Sequence, residues 1–282
     1  MSFPGAPVPS GGVDWRNIAN AGLYRTTGYK LVDPARLPDP APPPPPPPPQ
    51  RRGRLAKHMP GYYEEDIKTI VRAVRSRTMT AHEKVNALVV ATRYIADNDI
   101  PGALVECGVW RGGSMMAVAL ALLGRGRTDR DLHLFDTFAG MSEPTDEDKA
   151  MDGTPAAELL ARKPREARIW AIASLEDVQQ GMAETGYPAE RIHYHVGKVE
   201  DTIPAQAPER VALLRLDTDW YESTRHELEQ MYDRVAPGGV LIFDDYSTWQ
   251  GARKAVDEFV ARLGRPLLLM PIAAGRMAVK PV

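Results

Sequence analysis

Two pairs of aspartates dominate the chemistry this chain can offer. Asp217 and Asp219 stand two apart in LLRLDTDWYEST, at the end of an apolar run, and Asp244 and Asp245 end a second such run, GGVLIFDD. If the first strand continues that far, both of its aspartates point to one face, because side chains alternate along a strand. Neighbouring parallel strands lie about 4.8 Å apart, so all four carboxylates can converge. Hard oxygen donors of this kind suit Mg2+ or Ca2+ rather than zinc. With no compensating cation in view, ionised carboxylates so close repel one another, and a metal resolves that. Each pair alone has a plainer reading. Asp219 or Ser223 can cap the helix that follows, and Asp245 can close an Asx-turn.

A second constellation lies upstream. In ALVECGVWRGGS (103–114) an apolar run enters a glycine-rich turn, and an apolar segment follows. Glycines there let backbone approach a ligand closely, and the next helix offers its N–H groups. The turn lacks G-x-G-x-x-G and the G-K-[ST] of a P-loop, so phosphate binding is not signalled, and glycines equally permit a tight turn. Asp136, in FDTF, ends the next apolar run, where an acid can accept hydrogen bonds from a ribose diol. Glycine turn and acid together fit a nucleoside-bearing cofactor, either a nicotinamide dinucleotide or S-adenosylmethionine. The missing fingerprint weakens the dinucleotide. His193 and His195 read as a half-exposed strand face, since neither a cysteine nor a third histidine joins them. Cys107 reads as a small core residue. Trp110, Trp220, Tyr221 and Trp249 fall near strand ends, as pocket wall or rim packing.

The elements that must position these residues are legible from periodicity. Strands are expected at 103–109, 131–138, 191–197, 211–217 and 238–245, with a closing antiparallel pair at 266–272 and 276–282. Helical spacing marks 61–77, where Ile67, Ile70, Val71 and Val74 share a face, and 80–98, where Thr80 and Glu83 form a candidate capping box. Further helices are expected at 114–126, at 223–239, closed by Pro-Gly-Gly, and at 250–264. Strands alternating with helices mean an α/β fold, with a mostly parallel sheet covered on both faces. The charged segment 141–170 is long for a connection and reads as a lid or as a surface insertion.

Of the 26 prolines, fifteen lie in residues 1–60, and Pro42–Pro49 is an unbroken run. Such a run is extended and stays out of a packed core, as a stiff spacer or a docking peptide. The expected organisation is therefore a proline-rich N-terminal extension over 1–60 and one α/β domain over 61–282, with an insertion lid (141–170). A formal net charge of −2 gives no basic surface for nucleic acid. One cysteine excludes a disulfide framework within the chain. No secretory signal or membrane-length apolar run is seen, so a cytoplasmic protein with no membrane partner is expected.

The stretches ALVECGVWRGGSM, LFDTFAGM, GKVEDTIP, LLRLDTDWYEST and PGGVLIFDDYSTWQGARKAV, in this order over about 61–280, resemble the macrocin O-methyltransferase (TylF-like) family. The resemblance implies the class I methyltransferase fold, a Rossmann-like, mostly parallel seven-stranded sheet with helices on both faces, together with a catalytic role for the 61–282 domain and a helical lid over 61–98. It implies S-adenosylmethionine and Mg2+ as cofactors and a sugar hydroxyl of a glycosylated natural product as acceptor. By the same resemblance Glu106, Gly108, Arg111, Gly112 and Ser114 surround the methionine part of the cofactor, Asp136 holds the ribose with Thr137 and Phe138 beside it, Lys198 and Val199 lie near the adenine, and Thr78 and Met79 touch the cofactor. Asp217, Asp244 and Asp245 would hold Mg2+, and Asp219 would be the general base. The partner expected is a small-molecule glycoside, and the state a homo-oligomer. Ala273-Ala274 stand where the family has an acidic residue and Thr, a departure on the acceptor side. A catechol or other aromatic diol as acceptor, and a non-catalytic cofactor-binding scaffold recruited through its proline-rich arm, are the alternatives.

Overall fold

The computed structural model describes residues 59–282; the proline-rich segment and the spacer and docking readings made of it lie outside the described residues. Among the described residues the strands are β1 (Ala103–Cys107), β2 (Leu132–Asp136), β3 (Ile192–Val196), β4 (Val211–Leu216), β5 (Val235–Phe243), β6 (Met270–Ile272) and β7 (Gly275–Val279). They form one sheet in the order β3-β2-β1-β4-β5-β7-β6. The first five are parallel, and β7 pairs antiparallel with both β5 and β6. The order reverses at β1, which puts the ends of β1 and β4 at the crevice where α/β sheets bind ligands.

The helices are α1 (Glu65–Val74), α2 (His82–Asp97), α3 (Gly113–Leu123), α4 (Ala156–Ala161), α5 (Leu175–Glu184), α6 (Val199–Thr202), α7 (Tyr221–Met231) and α8 (Gln250–Arg262). Alternation along each strand divides the core. Leu104, Leu132, Leu134, Leu213 and Ile242 face α1, α2, α3 and α5, whereas Val105, Cys107, Phe135, Leu214 and Leu216 face α6, α7 and α8. Every residue of β1 and β4 is buried, as a strand covered on both faces requires. Each fully buried Leu, Ile or Val contributes about 1.5–3 kcal/mol. Helix α3 is apolar nearly all round and is buried among other helices.

Three local expectations are corrected. Thr80 and Glu83 form no capping box: Ala81 precedes α2 with no side-chain cap, and the Thr80 hydroxyl is taken instead by Arg215 at 3.0 Å. Pro237-Gly238-Gly239 do not close a helix. That helix, α7, ends at Met231, and the three residues lie inside β5. There Val211 faces Val235 while Leu213 faces Val240, so the extra residues are taken up in a bulge, with Gly238 at φ +79°. Neither Asp219 nor Ser223 caps α7. The N–H of Tyr221 donates to Asp148 Oδ1 at 2.7 Å, from within the 141–170 segment. Helices α4, α5 and α6 lie outside the expected elements: α4 and α6 are six and four residues long, and the buried face of α5 is only Val178, Gly181 and Met182.

Candidate active site

The face of β4 that carries Leu213 continues through Arg215 to Asp217, so an apolar stripe ends in charge at the carboxyl end of the sheet. Arg215 is 2% exposed. Its guanidinium reaches Glu106 on β1, Asp217 Oδ2 at 2.8 Å, Asp244 Oδ1 at 2.6 Å and the Thr80 hydroxyl. From α2, Lys84 donates to Asp244 Oδ2 at 2.5 Å and to its carbonyl at 2.9 Å. The acidic cluster therefore has two resident cations, contrary to the expectation of none. Arg215 hides inside an apolar run, and Lys84 lies 160 positions before Asp244, so spacing could not pair them.

The structure brings Asp217, Asp244 and Asp245 together: one carboxylate oxygen from each lies within 4.8 Å of the others. Asp219 joins through its backbone, its N–H donating to Asp245 Oδ2 at 3.2 Å. Its own Oδ1 accepts from the indole N–H of Trp249 at 2.5 Å. Asp219 sits at φ +66°, the left-handed region, which turns the chain between β4 and α7.

The electrostatics separate these acids. Burial, then the Asp217 charge, pushes Asp219 up to about 7. Burial also raises Asp217 and Asp245, with neighbouring carboxylates adding to it. For Asp244 burial works upward, but Arg215 and Lys84 outweigh it and hold it below the usual range. Ionised, Glu106, Asp217, Asp219, Asp244 and Asp245 carry five negative charges against two positive ones, leaving a deficit of three. An all-oxygen donor set with unmet negative charge fits a hard divalent cation. Asp217, whose side chain is 25% exposed, gives access from solvent.

Beside this cluster lies the glycine turn. Gly108, at φ +83°, packs so closely that a Cβ would strike the Asp217 carbonyl. Gly112 is also left-handed, at φ +81°, and a Cβ on Gly113 would lie 2.5 Å from the Arg77 carbonyl. Glu106 is 1% exposed, and its Oε2 has no hydrogen-bond partner among the described residues. Burial pushes its carboxyl up to about 7 even with Arg215 beside it. An orphaned carboxylate oxygen at the foot of a glycine turn fits the ammonium of an amino-acid ligand. Ser114, in the first turn of α3, is buried beside it.

The remaining expected cofactor residues divide. Asp136 accepts from the N–H groups of Val109 at 2.6 Å, Trp110 at 3.0 Å and Phe138 at 2.8 Å. Thr137 Oγ1 also lies 3.4 Å from Asp136 Oδ1, but its single proton has the shorter partner in the Gly140 carbonyl, so of about four lone-pair sites roughly one is left for a ribose hydroxyl. Thr137 uses its hydroxyl to build the next turn, donating to the Gly140 carbonyl at 2.7 Å, and Phe138, at φ +51°, leans on the core. The Arg111 guanidinium turns away to a two-bond pair with Asp177, at 2.7 and 2.9 Å, and to the Ser76 carbonyl. Asp177 also pairs with Arg77, so α5 is clamped to the turn by an acid that spacing did not reveal. Thr78 is buried and Met79 is 45% exposed. Lys198 precedes α6 at the end of β3, while the Val199 side chain is buried with Phe135 and Ile203.

His193 and His195 are half-exposed on β3, as expected, but a third histidine does join them. His133 on β2 lies in register with His193, stacks on it at 4.5 Å, and shares a 2.9 Å hydrogen bond with His195. Cys107 is buried. Trp220 and Trp249 meet edge to face at 5.1 Å and pack with Ala156, Leu160 and Ala252, which seats the 141–170 segment beside Asp219. Trp110 faces the same segment, with Arg168 over its ring. Among the described residues, no helix is long and apolar enough to cross a membrane.

Comparison with known proteins follows the same lines. A family model described as macrocin-O-methyltransferase (TylF) matches residues 67–269. The chain is 32% identical over 194 residues to 8-demethyl-8-(2,3-dimethoxy-alpha-L-rhamnosyl)-tetracenomycin-C 4'-O-methyltransferase of Streptomyces olivaceus, covering 67% of this chain and 69% of that protein. It is 32% identical over 200 residues to mycinamicin III 3''-O-methyltransferase of Micromonospora griseorubida, covering 71% and 74%. The solved structure of the O-methyltransferase NovP superposes with a TM-score of 0.63 at 27% identity, covering 73% of this chain and 83% of that one.

Proposed function

The chain belongs to the macrocin O-methyltransferase family and is thereby an S-adenosylmethionine-dependent O-methyltransferase, and from that premise we propose that it methylates a sugar hydroxyl of a glycosylated natural product, with Mg2+ at the acidic cluster. The observation that carries this reading is the convergence of Asp217, Asp244 and Asp245 next to the glycine turn. The acceptors in the names of the two curated relatives, a rhamnosyl tetracenomycin and mycinamicin III, support the sugar.

Asp217, Asp244 and Asp245 would hold Mg2+, which supplies a lowered pKa to a coordinated hydroxyl. The sulfonium of S-adenosylmethionine supplies an electrophilic methyl, and the turn from Glu106 to Ser114 would hold its amino-acid end. Glu106 offers the unpartnered oxygen, and Gly108, Gly112 and the start of α3 offer backbone. Asp136, Thr137 and Phe138 would line the ribose side, Lys198 and Val199 the adenine side, and Thr78 and Met79 the loop before α2. Arg111 contributes through its backbone, because its side chain is committed to Asp177.

Asp219 takes the acceptor proton. Pushed up to about 7, its carboxylate is matched to work near neutral pH. Arg215 and Lys84 fix Asp244 from both of its oxygens, so the cluster is positioned before a ligand arrives. Seated on Trp220 and Trp249, the 141–170 segment acts as the acceptor-side lid, and residues 61–98 cover the cofactor side. A homo-oligomeric, cytoplasmic enzyme belongs to the same reading. Val90 and Tyr94, one turn apart on α2 and 47% and 37% exposed, offer an apolar face for assembly.

The test is an acceptor panel with methyl-labelled S-adenosylmethionine: desmethyl deoxysugar glycosides against a simple catechol. Label on the sugar alone supports the reading. Label on the catechol alone replaces the acceptor, and no transfer or binding of the homocysteine product removes the activity.

A further inference from the structure

Resting on the reading of Asp219 as the base, we propose that Trp249 is its positioning residue: the indole N–H aims the Asp219 carboxylate at the acceptor and holds it there. Trp249 is 8% exposed, and its Nε1 lies 2.5 Å from Asp219 Oδ1. A carboxylate on a left-handed residue between a strand and a helix depends on side-chain partners to fix its rotamer, and the indole is the one that donates to Oδ1. Among the described residues, Asp245 is its other neighbour: it accepts the Asp219 backbone N–H at 3.2 Å and also lies against the Asp219 carboxyl.

The indole itself is over-determined. Its ring meets Trp220 edge to face at 5.1 Å and 65°. Trp220 is anchored in turn by its own Nε1, which donates to the Ser142 carbonyl at 3.0 Å. The Trp249 backbone is bridged to Ala150, and the next N–H, of Gln250, donates to the Lys149 carbonyl at 2.7 Å. Trp249 thus belongs to the start of α8 and to the seated 141–170 segment at once, and it delivers one donor to the base. A donor locked by packing on both sides orients an acid as the acid of a catalytic triad orients its histidine: by geometry, without moving a proton. One oxygen of Asp219 is held, which leaves the other to accept the acceptor's proton.

Three full-length variants test this: Trp249→Phe, which keeps a ring and loses the donor, Asp219→Asn, and the two combined. Trp249→Phe should lower kcat about ten- to a hundredfold, as a small misplacement of a reacting group does, with KM for both substrates within about twofold. In the Asp219→Asn background the same change should cost nothing further, since its effect runs through Asp219. Independently of turnover, the indole N–H resonance of Trp249, assigned by through-bond correlation in the isotope-labelled wild type, should lie downfield there and move upfield in Asp219→Asn. This readout stands even if Trp249→Phe folds poorly. An unchanged kcat in Trp249→Phe, an additive double variant, or an indole signal that ignores Asp219→Asn overturns the inference and leaves the base intact. Near-normal kcat in Asp219→Asn removes the base reading itself, and the inference with it.

Discussion

Arg215 and Glu106 stand opposite each other in register on adjacent parallel strands, and the guanidinium bonds the carboxylate inside the sheet. The same guanidinium holds Asp217 and Asp244. The foot of the glycine turn and the acidic cluster are therefore two ends of one buried network, not two neighbouring sites.

Removing its centre should be severe. Arg215→Met leaves three carboxylates without their shared cation, and breaking a buried network of this kind costs about 3–5 kcal/mol. Urea unfolding at neutral pH should show the loss. Arg215→Lys should recover only part of it, because an ammonium cannot reproduce the planar fork. A wild-type midpoint in Arg215→Met would mean that the network does not hold the site.

Stability of the metal-free protein should fall as pH rises. Burial sets the Glu106 carboxyl at about 7, from 4.5 as the ordinary value. Below the lower value it is protonated in both states. Between the two, the folded protein keeps a proton that the unfolded chain has released, so stability declines through this window and levels off above it. Asp219, also raised to about 7, acts in the same direction. Urea midpoints should drop from about pH 5 to about pH 8, and Glu106→Gln should flatten part of the slope. A midpoint that rises over this range would contradict the charge deficit.

The strands were legible as short apolar runs, buried on both faces at β1 and β4, and several helices because their apolar positions recur at helical spacing. Ile67, Ile70, Val71 and Val74 read as one helix face and are all buried. The four aspartates were legible because chain order places them at the ends of β4 and β5, which are neighbours in the sheet. What balances and orients them was not legible. Arg215 stands inside an apolar run, Lys84 and Asp148 come from distant segments, and Asp177 lies on a helix with a thin apolar face. Thr80 shows the limit of local rules: its capping pattern was present, but a buried guanidinium outcompeted the helix for its hydroxyl.

Gly108 ties backbone to site. Gly108→Ala would put a Cβ onto the Asp217 carbonyl at a φ of +83°, which costs more than about 1 kcal/mol. Because that carbonyl belongs to the acidic cluster, one substitution should lower the melting temperature, weaken binding of S-adenosylhomocysteine by calorimetry and reduce turnover together. Loss of stability alone would argue that the β1 turn lies outside the cofactor site.

Asp217 should be needed for metal. Mg2+ should raise the melting temperature of the wild type by mass action on the folded state, and Asp217→Asn should abolish that rise. Changes to groups that merely support a metal ligand cost about 10–100-fold, so losing the ligand should cost at least about a hundredfold in kcat. A retained Mg2+ shift in Asp217→Asn would place the ion elsewhere.

The most direct measurement is methyl transfer from S-adenosylmethionine to a desmethyl deoxysugar glycoside, followed by mass spectrometry, after exhaustive EDTA treatment and then with Mg2+ restored. The account predicts no methylated sugar without metal and full recovery with Mg2+. Undiminished sugar methylation in the chelated enzyme would contradict it.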